Sequence, residues 1–297
     1  MRCSWTRAIY NLEIDEPMSA RFRLLTTEDI PQAMRLKDLA GWNQTAADWQ
    51  LLLSASPVGC FAAEHDGRVV GTSTTITYEG RFAWIGMVIV DPQYRGQGTG
   101  TALCERAIQY LDLRGVPAMK LDATPQGRPL YEKFGFVGEY EIERWMLSRR
   151  ADDRGSPSKA AAEIEDVLRL DREIFGADRS VLLTALTAAA PEFTLVVREG
   201  IEIEGYAFGR RGSRADHLGP WMAGKENVAA TLLEEFLRRS QRELVFVDCS
   251  LRNPWAVSLV RARGFEFSRP LTRMFRGTNK HAGQPESLCA VLGPEFG

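Results

Sequence analysis

Apolar positions along this chain repeat with two periods, and the switches between them mark its elements. Residues 21–25 alternate as a short strand. Thr27 then precedes Glu28, Asp29, Ile30 and Pro31, a helix start with a hydroxyl cap and with acids and proline in its first turn. Helical spacing returns over residues 45–53. Residues 60–65 and 69–78 read as strands joined at Asp66-Gly67, a two-residue hairpin signal. Residues 84–90 are continuously apolar, the pattern of a strand buried on both faces. Over residues 99–113, Ala102, Leu103, Ala107, Tyr110 and Leu111 share one helical face, and Glu105, Arg106, Gln109 and Asp112 take the other. A strand at 119–122, a short helix at 129–134 ended by Gly135, and a last strand at 137–147 complete the run. Antiparallel strands followed by a β-α-β unit predict an α+β fold, a mixed and mostly antiparallel sheet flanked by helices.

The second half echoes the first. Ile85-Gly86-Met87-Val88-Ile89-Val90 reappears as Leu218-Gly219-Pro220-Trp221-Met222-Ala223, a shift of 219 − 86 = 133. Pro57 and Pro191, Gly67 and Gly200, Asp122 and Asp248, and Gly135-Phe136 and Gly264-Phe265 match at shifts between 126 and 134. The pattern predicts a tandem duplication of one fold of about 130 residues. Polar, charged residues 148–159 read as a linker. The expected organisation is a loose tail at 1–17, a first domain at 18–147, that linker, and a second domain at 160–297. At 297 residues, two domains, each burying its own core, are expected. Residues from about 277 onward are rich in Gly and Pro and read as a segment that wraps or frays.

Composition narrows the field. At 44% hydrophobic and 26% charged, the chain is neither disordered nor fibrous. Its net charge of −2 supplies no bulk attraction to nucleic acid or to an anionic membrane, so neither is expected as a partner. Five cysteines without a CxxC and three histidines argue against a zinc site or a disulfide scaffold and predict reduced thiols; no metal is expected. The first residues lack a secretory h-region, and the apolar run at 82–90 is too short to span a bilayer. A soluble, cytoplasmic protein, monomer or homodimer, is the expectation.

Chemistry concentrates in Val88-Ile89-Val90-Asp91-Pro92-Gln93-Tyr94-Arg95-Gly96-Gln97-Gly98-Thr99-Gly100-Thr101. A buried strand ends, a glycine-dense turn follows, and a helix begins. A helix N-terminus leaves N–H groups unpaired and carries partial positive charge. Glycines let the backbone approach a ligand, and Arg95 adds a cation, so the turn suits a phosphate or pyrophosphate. A P-loop fails for want of Lys after Gly100. A dinucleotide GxGxxG places Thr101 or Cys104 where its third glycine belongs, although Asp122 could imitate the ribose-binding acid. The pattern R-x-x-G-x-G is matched by Arg95, Gly98 and Gly100.

That pattern, with Val-x-Val-x-Pro before it, resembles the GNAT acyltransferase superfamily. Leu130-Tyr131-Glu132-Lys133-Phe134-Gly135-Phe136 is similar to the family's later L-Y-x-K-x-G-F segment, and the likeness covers about residues 20–147. The whole resembles a two-domain subgroup whose C-terminal half is a degenerate GNAT-like domain. The resemblance implies acetyl-CoA as acyl donor, with the backbone of Val88, Ile89 and Val90 on the pantetheine arm. It places the pyrophosphate in the turn formed by Arg95, Gly96, Gln97, Gly98, Thr99, Gly100 and Thr101. Strand 119–122 would splay away to admit the thioester. Tyr131 matches the tyrosine that protonates the departing thiolate, which a phenol of ordinary pKa near 10 can do with little mismatch. Thr124 stands where many members carry Asn. The second half has Asn253 there, but Val260 at the tyrosine position and no R-x-x-G-x-G, so it is expected not to bind acetyl-CoA.

The implied reaction is acetyl transfer to a primary amine of a small molecule. Trp42 and Asn43 are candidate substrate contacts, and Trp221 is more naturally core. Asp122, Glu64 and His65 are the candidate bases. Two rivals remain: a non-catalytic acyl-CoA-binding sensor, and a nicotinamide-dependent oxidoreductase.

Overall fold

The computed structural model describes residues 20–150 and 164–297; the expected tail and residues 151–159 of the expected linker lie outside them. The first half runs β1 (Arg21–Leu24), α1 (Ile30–Leu39), α2 (Ala46–Ala55), β2 (Phe61–His65), β3 (Arg68–Tyr78), β4 (Phe82–Val90), α3 (Thr99–Leu113), β5 (Ala118–Ala123), α4 (Arg128–Lys133) and β6 (Val137–Ser148). The second repeats this order as α5 (Glu165–Phe175), α6 (Ser180–Ala189), β7 (Leu195–Glu199), β8 (Glu202–Arg211), β9 (Asp216–Ala223), α7 (Glu226–Arg239), β10 (Leu244–Ser250), α8 (Ala256–Ala262) and β11 (Glu266–Gly277), then adds β12 (Leu288–Ala290). The mixed, mostly antiparallel sheet flanked by helices is the fold the pattern predicts.

Local signals held with small shifts. Thr26, not Thr27, starts the first helical segment: its amide and hydroxyl donate to Asp29 Oδ2 at 2.9 and 3.1 Å, around a short 3-10 turn. The same box recurs at α2, where the Thr45 amide and hydroxyl donate to Asp48 Oδ2 at 2.6 and 2.9 Å. Asp66 and Gly67 both adopt positive φ, 48° and 75°, as a two-residue hairpin of matching twist requires. The buried face of α3 includes Cys104 and Ile108, while Ala102 is only half-buried.

The duplication is visible in a shared irregularity. β3 pairs with β4 as Thr72↔Ile89 and Thr74↔Gly86, one extra residue on β4, with Met87 at φ 49°. β8 pairs with β9 as Ala207↔Trp221 and Gly209↔Leu218, one extra residue at the matching place. Gly86-Met87 and Gly219-Pro220 are thus the same β-bulge in two copies.

The twelve strands of the described residues form one sheet, ordered β1-β2-β3-β4-β5-β11-β6-β10-β12-β9-β8-β7. The halves exchange their late strands. β11 pairs with β5 of the first half, and β6 pairs with β10 of the second. Two buried, bidentate ion pairs pin the exchange at equivalent places. Arg273 on β11 holds Asp122 on β5 at 2.9 Å, and Arg144 on β6 holds Asp248 on β10 at 2.7 and 2.6 Å. Met274 accordingly packs into the first half's core and Trp145 into the second's. A third cluster, including Trp84, Phe175, Tyr206 and Phe296, is shared by both halves. The expectation of two self-sufficient cores is therefore corrected, because exchanging strands places each half's apolar residues against the other.

β4 and β5 pair in parallel only at Ala83↔Met119 and Trp84↔Lys120, then part. β9 and β10 pair in parallel at residues 216–218 and 245–247, then part likewise, but there β12 fills the gap. The segment after β12 does not fray. Trp84 Nε1 donates to the Pro294 carbonyl at 2.8 Å, the Tyr78 hydroxyl to that of Phe296 at 2.6 Å, and Arg179 to that of Gly297 at 2.8 Å. Cys60, Cys104, Cys249 and Cys289 are free and buried. Among the described residues no helix is long and apolar enough to cross a membrane.

Candidate active site

Where β4 leaves β5, a cleft of about 620 Å³ opens. Its wall is β4 from Ile85 to Val90 on one side, and Asp122, Thr124 and Tyr131 on the other. Beyond Trp84 the edge of β4 that faces β5 has no strand partner, so its backbone groups are left for a ligand.

The glycine turn stands at the mouth. Asp91 fixes its start: its Oδ1 accepts from the Gln93 amide at 3.1 Å and its Oδ2 from Arg35 at 2.7 Å. Burial opposes the charge on Asp91, but the Arg35 hydrogen bond and the Gln93 amide hold its carboxyl below the usual range. Gly96 and Gly98 take φ of 75° and 82°, which side chains with a Cβ rarely adopt. Gly98 is the N-cap of α3 and no side chain caps that end, so the amides of Thr99, Gly100 and Thr101 have no partner in the helix. Arg95 lies across the turn, its Nε donating to the Val90 carbonyl at 3.0 Å, and Gln97 Nε2 donates to the Gln93 carbonyl at 3.3 Å. Val88, Ile89, Val90, Arg95 and Gly100 line the cleft, while Gly96, Gln97, Gly98, Thr99 and Thr101 make up the turn itself. Strand edge, open amides and cation fit an extended ligand ending in a pyrophosphate.

Tyr131 lines the opposite wall from α4 and packs edge-on against Phe136. A Cβ on Gly127 would stand 3.1 Å from its ring, so the glycine makes room for the phenol. Burial pushes the phenol above its ordinary pKa of 10. It is thus a weaker acid than the ordinary phenol assumed from sequence, and the match to a thiolate is less close. Thr124 uses its side chain locally: Oγ1 accepts from the Gly127 amide at 3.1 Å.

The candidate bases fare differently. Asp122 lines the cleft, but both its oxygens are engaged by Arg273, which also lies over the Trp84 ring. Burial keeps the Asp122 pKa above the ordinary value despite that guanidinium. Its evident work is to hold β11 in place. Glu64 accepts from Arg23 at 2.7 Å and His65 meets Tyr94 edge to face; neither lines the cleft. Trp42 lines it. Asn43 does not: it is buried, and its side chain clamps the 212–215 loop of the second half, donating to the Ala215 carbonyl and accepting from the Arg214 and Ala215 amides at 2.9–3.0 Å. Trp221 is core of the second half.

Four lining residues come from parts of the chain where sequence placed no site. Arg269 and Leu271 arrive on the exchanged β11, and Pro294 and Glu295 on the segment after β12. A Cβ on Gly86 would meet the Glu295 carbonyl at 2.9 Å, so the segment lies directly against the β4 bulge. Gln44, beside Trp42, also lines the cleft, and its Oε1 is buried without a partner. No motif announces these residues: strand exchange brings Arg269 and Leu271, and the segment after β12 brings Pro294 and Glu295.

In the second half the matching gap is closed. β12 fills it, the Val291 amide donates to the Asp248 carbonyl at 3.0 Å, and a Cβ on Gly219 would collide with the Val291 carbonyl at 2.0 Å.

Comparison with known proteins finds the same fold in both halves. The model of the acetyltransferase (GNAT) family matches residues 22–136, and that of an acetyltransferase (GNAT) domain matches residues 167–290. A holothin acyltransferase of Pseudoalteromonas is 25% identical over 260 residues, covering 86% of this chain and 87% of that protein. A crystal structure from Pyrococcus horikoshii, described as a candidate acetyltransferase, superposes with a TM-score of 0.80 at 25% identity, covering 96% of this chain and 98% of that one. A tandem GNAT protein from the clavulanic acid biosynthesis pathway superposes at 0.58 with 16% identity, covering 87% and 98%, a likeness of fold.

Proposed function

The chain belongs to the GNAT acetyltransferase superfamily, with one GNAT domain in each half, and on that premise we propose that its first half transfers acetyl to the primary amine of a small molecule. The protein is an N-acyltransferase, and acetyl-CoA is the acyl donor of its family. The observation that carries the finer reading is the parting of β4 from β5 beside the uncapped start of α3, with Tyr131 on the facing wall.

In this reading the backbone of Val88, Ile89 and Val90 holds the pantetheine arm. The amides of Thr99, Gly100 and Thr101, with Arg95, hold the pyrophosphate, and Gly96 and Gly98 let the turn approach it. A neutral amine attacks the thioester carbonyl. Its N–C bond forms, the C–S bond breaks, and an amide N–H of the β4 edge stabilises the oxyanion. The thiolate takes a proton from Tyr131, and a proton lost by the amine returns to the phenol through solvent. Because burial makes the phenol a weaker acid than a thiol, its proton moves only once charge has developed on sulfur, and that step is itself uphill. The second half, its gap filled by β12, walls the acceptor side and binds no acetyl-CoA.

Calorimetric titration of acetyl-CoA and of NAD into the full chain tests this, followed by thiol release with an amine panel. One acetyl-CoA site, no NAD binding and amine-dependent thiol release are expected. Two sites would overturn the assignment of the second half. Binding without turnover on any amine would favour an acyl-CoA sensor.

A further inference from the structure

Arg269 is the unexplained group in the cleft. It sits on β11 beside a register break between Phe267 and Arg269, and it lines the cavity with Leu271. Its cross-strand partner is another arginine, Arg144. Like charges directly opposite on neighbouring strands destabilise a sheet unless something neutralises them. For Arg144 something does, since Asp248 holds it on both sides. For Arg269 only attraction at a distance does so, from Asp248 and Glu295, without a hydrogen bond to either. Its Nε is buried with no hydrogen-bond partner, and among the described residues its guanidinium forms no ion pair.

The nearby carboxylates are engaged by other arginines: Asp248 by Arg144, Asp122 by Arg273, and Glu295 through Oε1 by Arg210, its Oε2 being buried with no hydrogen-bond partner among the described residues. Burial first, and then Arg144, pull the Arg269 pKa down to about 10, the mark of a guanidinium short of counter-charge. It remains fully charged near neutral pH. A half-buried arginine with a free donor edge in a cleft is matched by a carboxylate or a phosphate, which it can bind with two parallel hydrogen bonds.

Resting on the acetyltransferase reading, we propose that the acceptor is an anionic amine, and that Arg269 of the second half binds its carboxylate or phosphate while the amine faces the acyl donor. The surroundings suit such a molecule. Trp42, Leu39 and Leu271 offer apolar surface to its body, and Gln44 Oε1 is a second buried group without a partner, an acceptor for an amine or hydroxyl hydrogen. The second half thereby has a positive role. Its own donor site is closed, and it supplies the charge that selects the acceptor of the first.

The test uses the full chain with saturating acetyl-CoA and matched pairs of amines differing in one anionic group: L-leucine and L-leucinamide, L-phenylalanine and its amide, glucosamine 6-phosphate and glucosamine. The amide's amine loses its proton more readily than the amino acid's, so preference for the acid runs against intrinsic reactivity. In at least one pair the anionic member is expected to show a kcat/KM at least tenfold higher, and the pair that responds tells carboxylate from phosphate. Arg269→Gln is expected to bring that ratio within about twofold, chiefly by raising KM for the anionic member, and Arg269→Lys to keep part of it. Equal or better use of the neutral member in every pair, or a ratio unmoved by Arg269→Gln in a folded variant, overturns the proposal alone. So does failure of every anionic amine when acetyl-CoA binds. Absence of acetyl-CoA binding by calorimetry overturns the acetyltransferase reading and this proposal with it.

Discussion

In the proposed reading Tyr131 and Gly98 stand at the two ends of the donor site, and each makes a separable prediction. Tyr131→Phe keeps the ring that packs on Phe136 and removes the proton. It is expected to lower kcat by about ten- to a hundredfold, with the acetyl-CoA Kd within about twofold, by steady-state kinetics and calorimetry. Gly98→Trp places a large residue at φ 82° in the turn and over the open amides of α3, and is expected to raise the acetyl-CoA Kd at least about tenfold. An unchanged Kd would mean that the turn does not hold the pyrophosphate. Both residues stand out in the bare sequence, since R-x-x-G-x-G and L-Y-x-K-x-G-F are local patterns. Arg269 was not legible, because a lone arginine in a strand gives no sign of which cleft it will face.

The segment between α1 and α2 shows how an element's ends acquire a task that its period does not report. Trp42 and Gln44 face the cleft, while Asn43 between them turns into the second half and satisfies the backbone of the 212–215 loop. Asn43→Ala would leave two amides and a carbonyl without their partner in a buried place. A loss of about 2–4 kcal/mol is expected, read from urea unfolding, with donor binding retained by the protein that remains folded. A loss below about 0.5 kcal/mol would show that the clamp is replaced by water. The helices and hairpins themselves were legible almost to their ends, because caps at Thr45 and the Asp66-Gly67 turn are chemistry of adjacent residues. Of the late strands, β6 was legible as a strand over residues 137–147 but not as a neighbour of β10. β6 and β11 each carry a pattern that fits either half of a duplicated fold.

The exchange of β6 and β11 makes the two halves one cooperative body, held by Arg144–Asp248 and Arg273–Asp122. Removing one partner of such a pair leaves a buried charge unmatched, so Arg144→Met should cost about 3–5 kcal/mol, read from denaturant unfolding. Restoring part of that loss with Asp248→Asn in the same chain would identify the orphaned carboxylate as the cause. His217 lies beside Asp248, fully buried. Burial lowers its pKa below the ordinary 6.5, outweighing the Asp248 carboxylate, with Arg210 and Arg144 acting in the same direction. The unfolded chain then binds the extra proton first, so the contribution of neutral His217 is present above about pH 6.5 and is lost as pH falls toward the folded value. Tm should fall between about pH 7.5 and about pH 5.5, and His217→Gln should flatten that part of the slope. An unaltered slope would assign the effect to other groups.

Sequence alone determined the elements of the first half and their order, the echo of that half in the second, the turn that suits a pyrophosphate and the tyrosine that follows it. All of these depend on residues within a few positions of one another, where periodicity, capping and glycine conformation act. Only the tertiary structure decided which strand lies beside which, that β12 closes the second gap while the first stays open, and that Arg269 and Glu295 reach the first half's cleft. Those outcomes turn on pairing between segments distant along the chain, from Cys249 with Ala290 to Ala118 with Gly277. Two similar halves present similar edges, and the choice between self-pairing and exchange lies in buried charge pairs and core fit that no local pattern encodes.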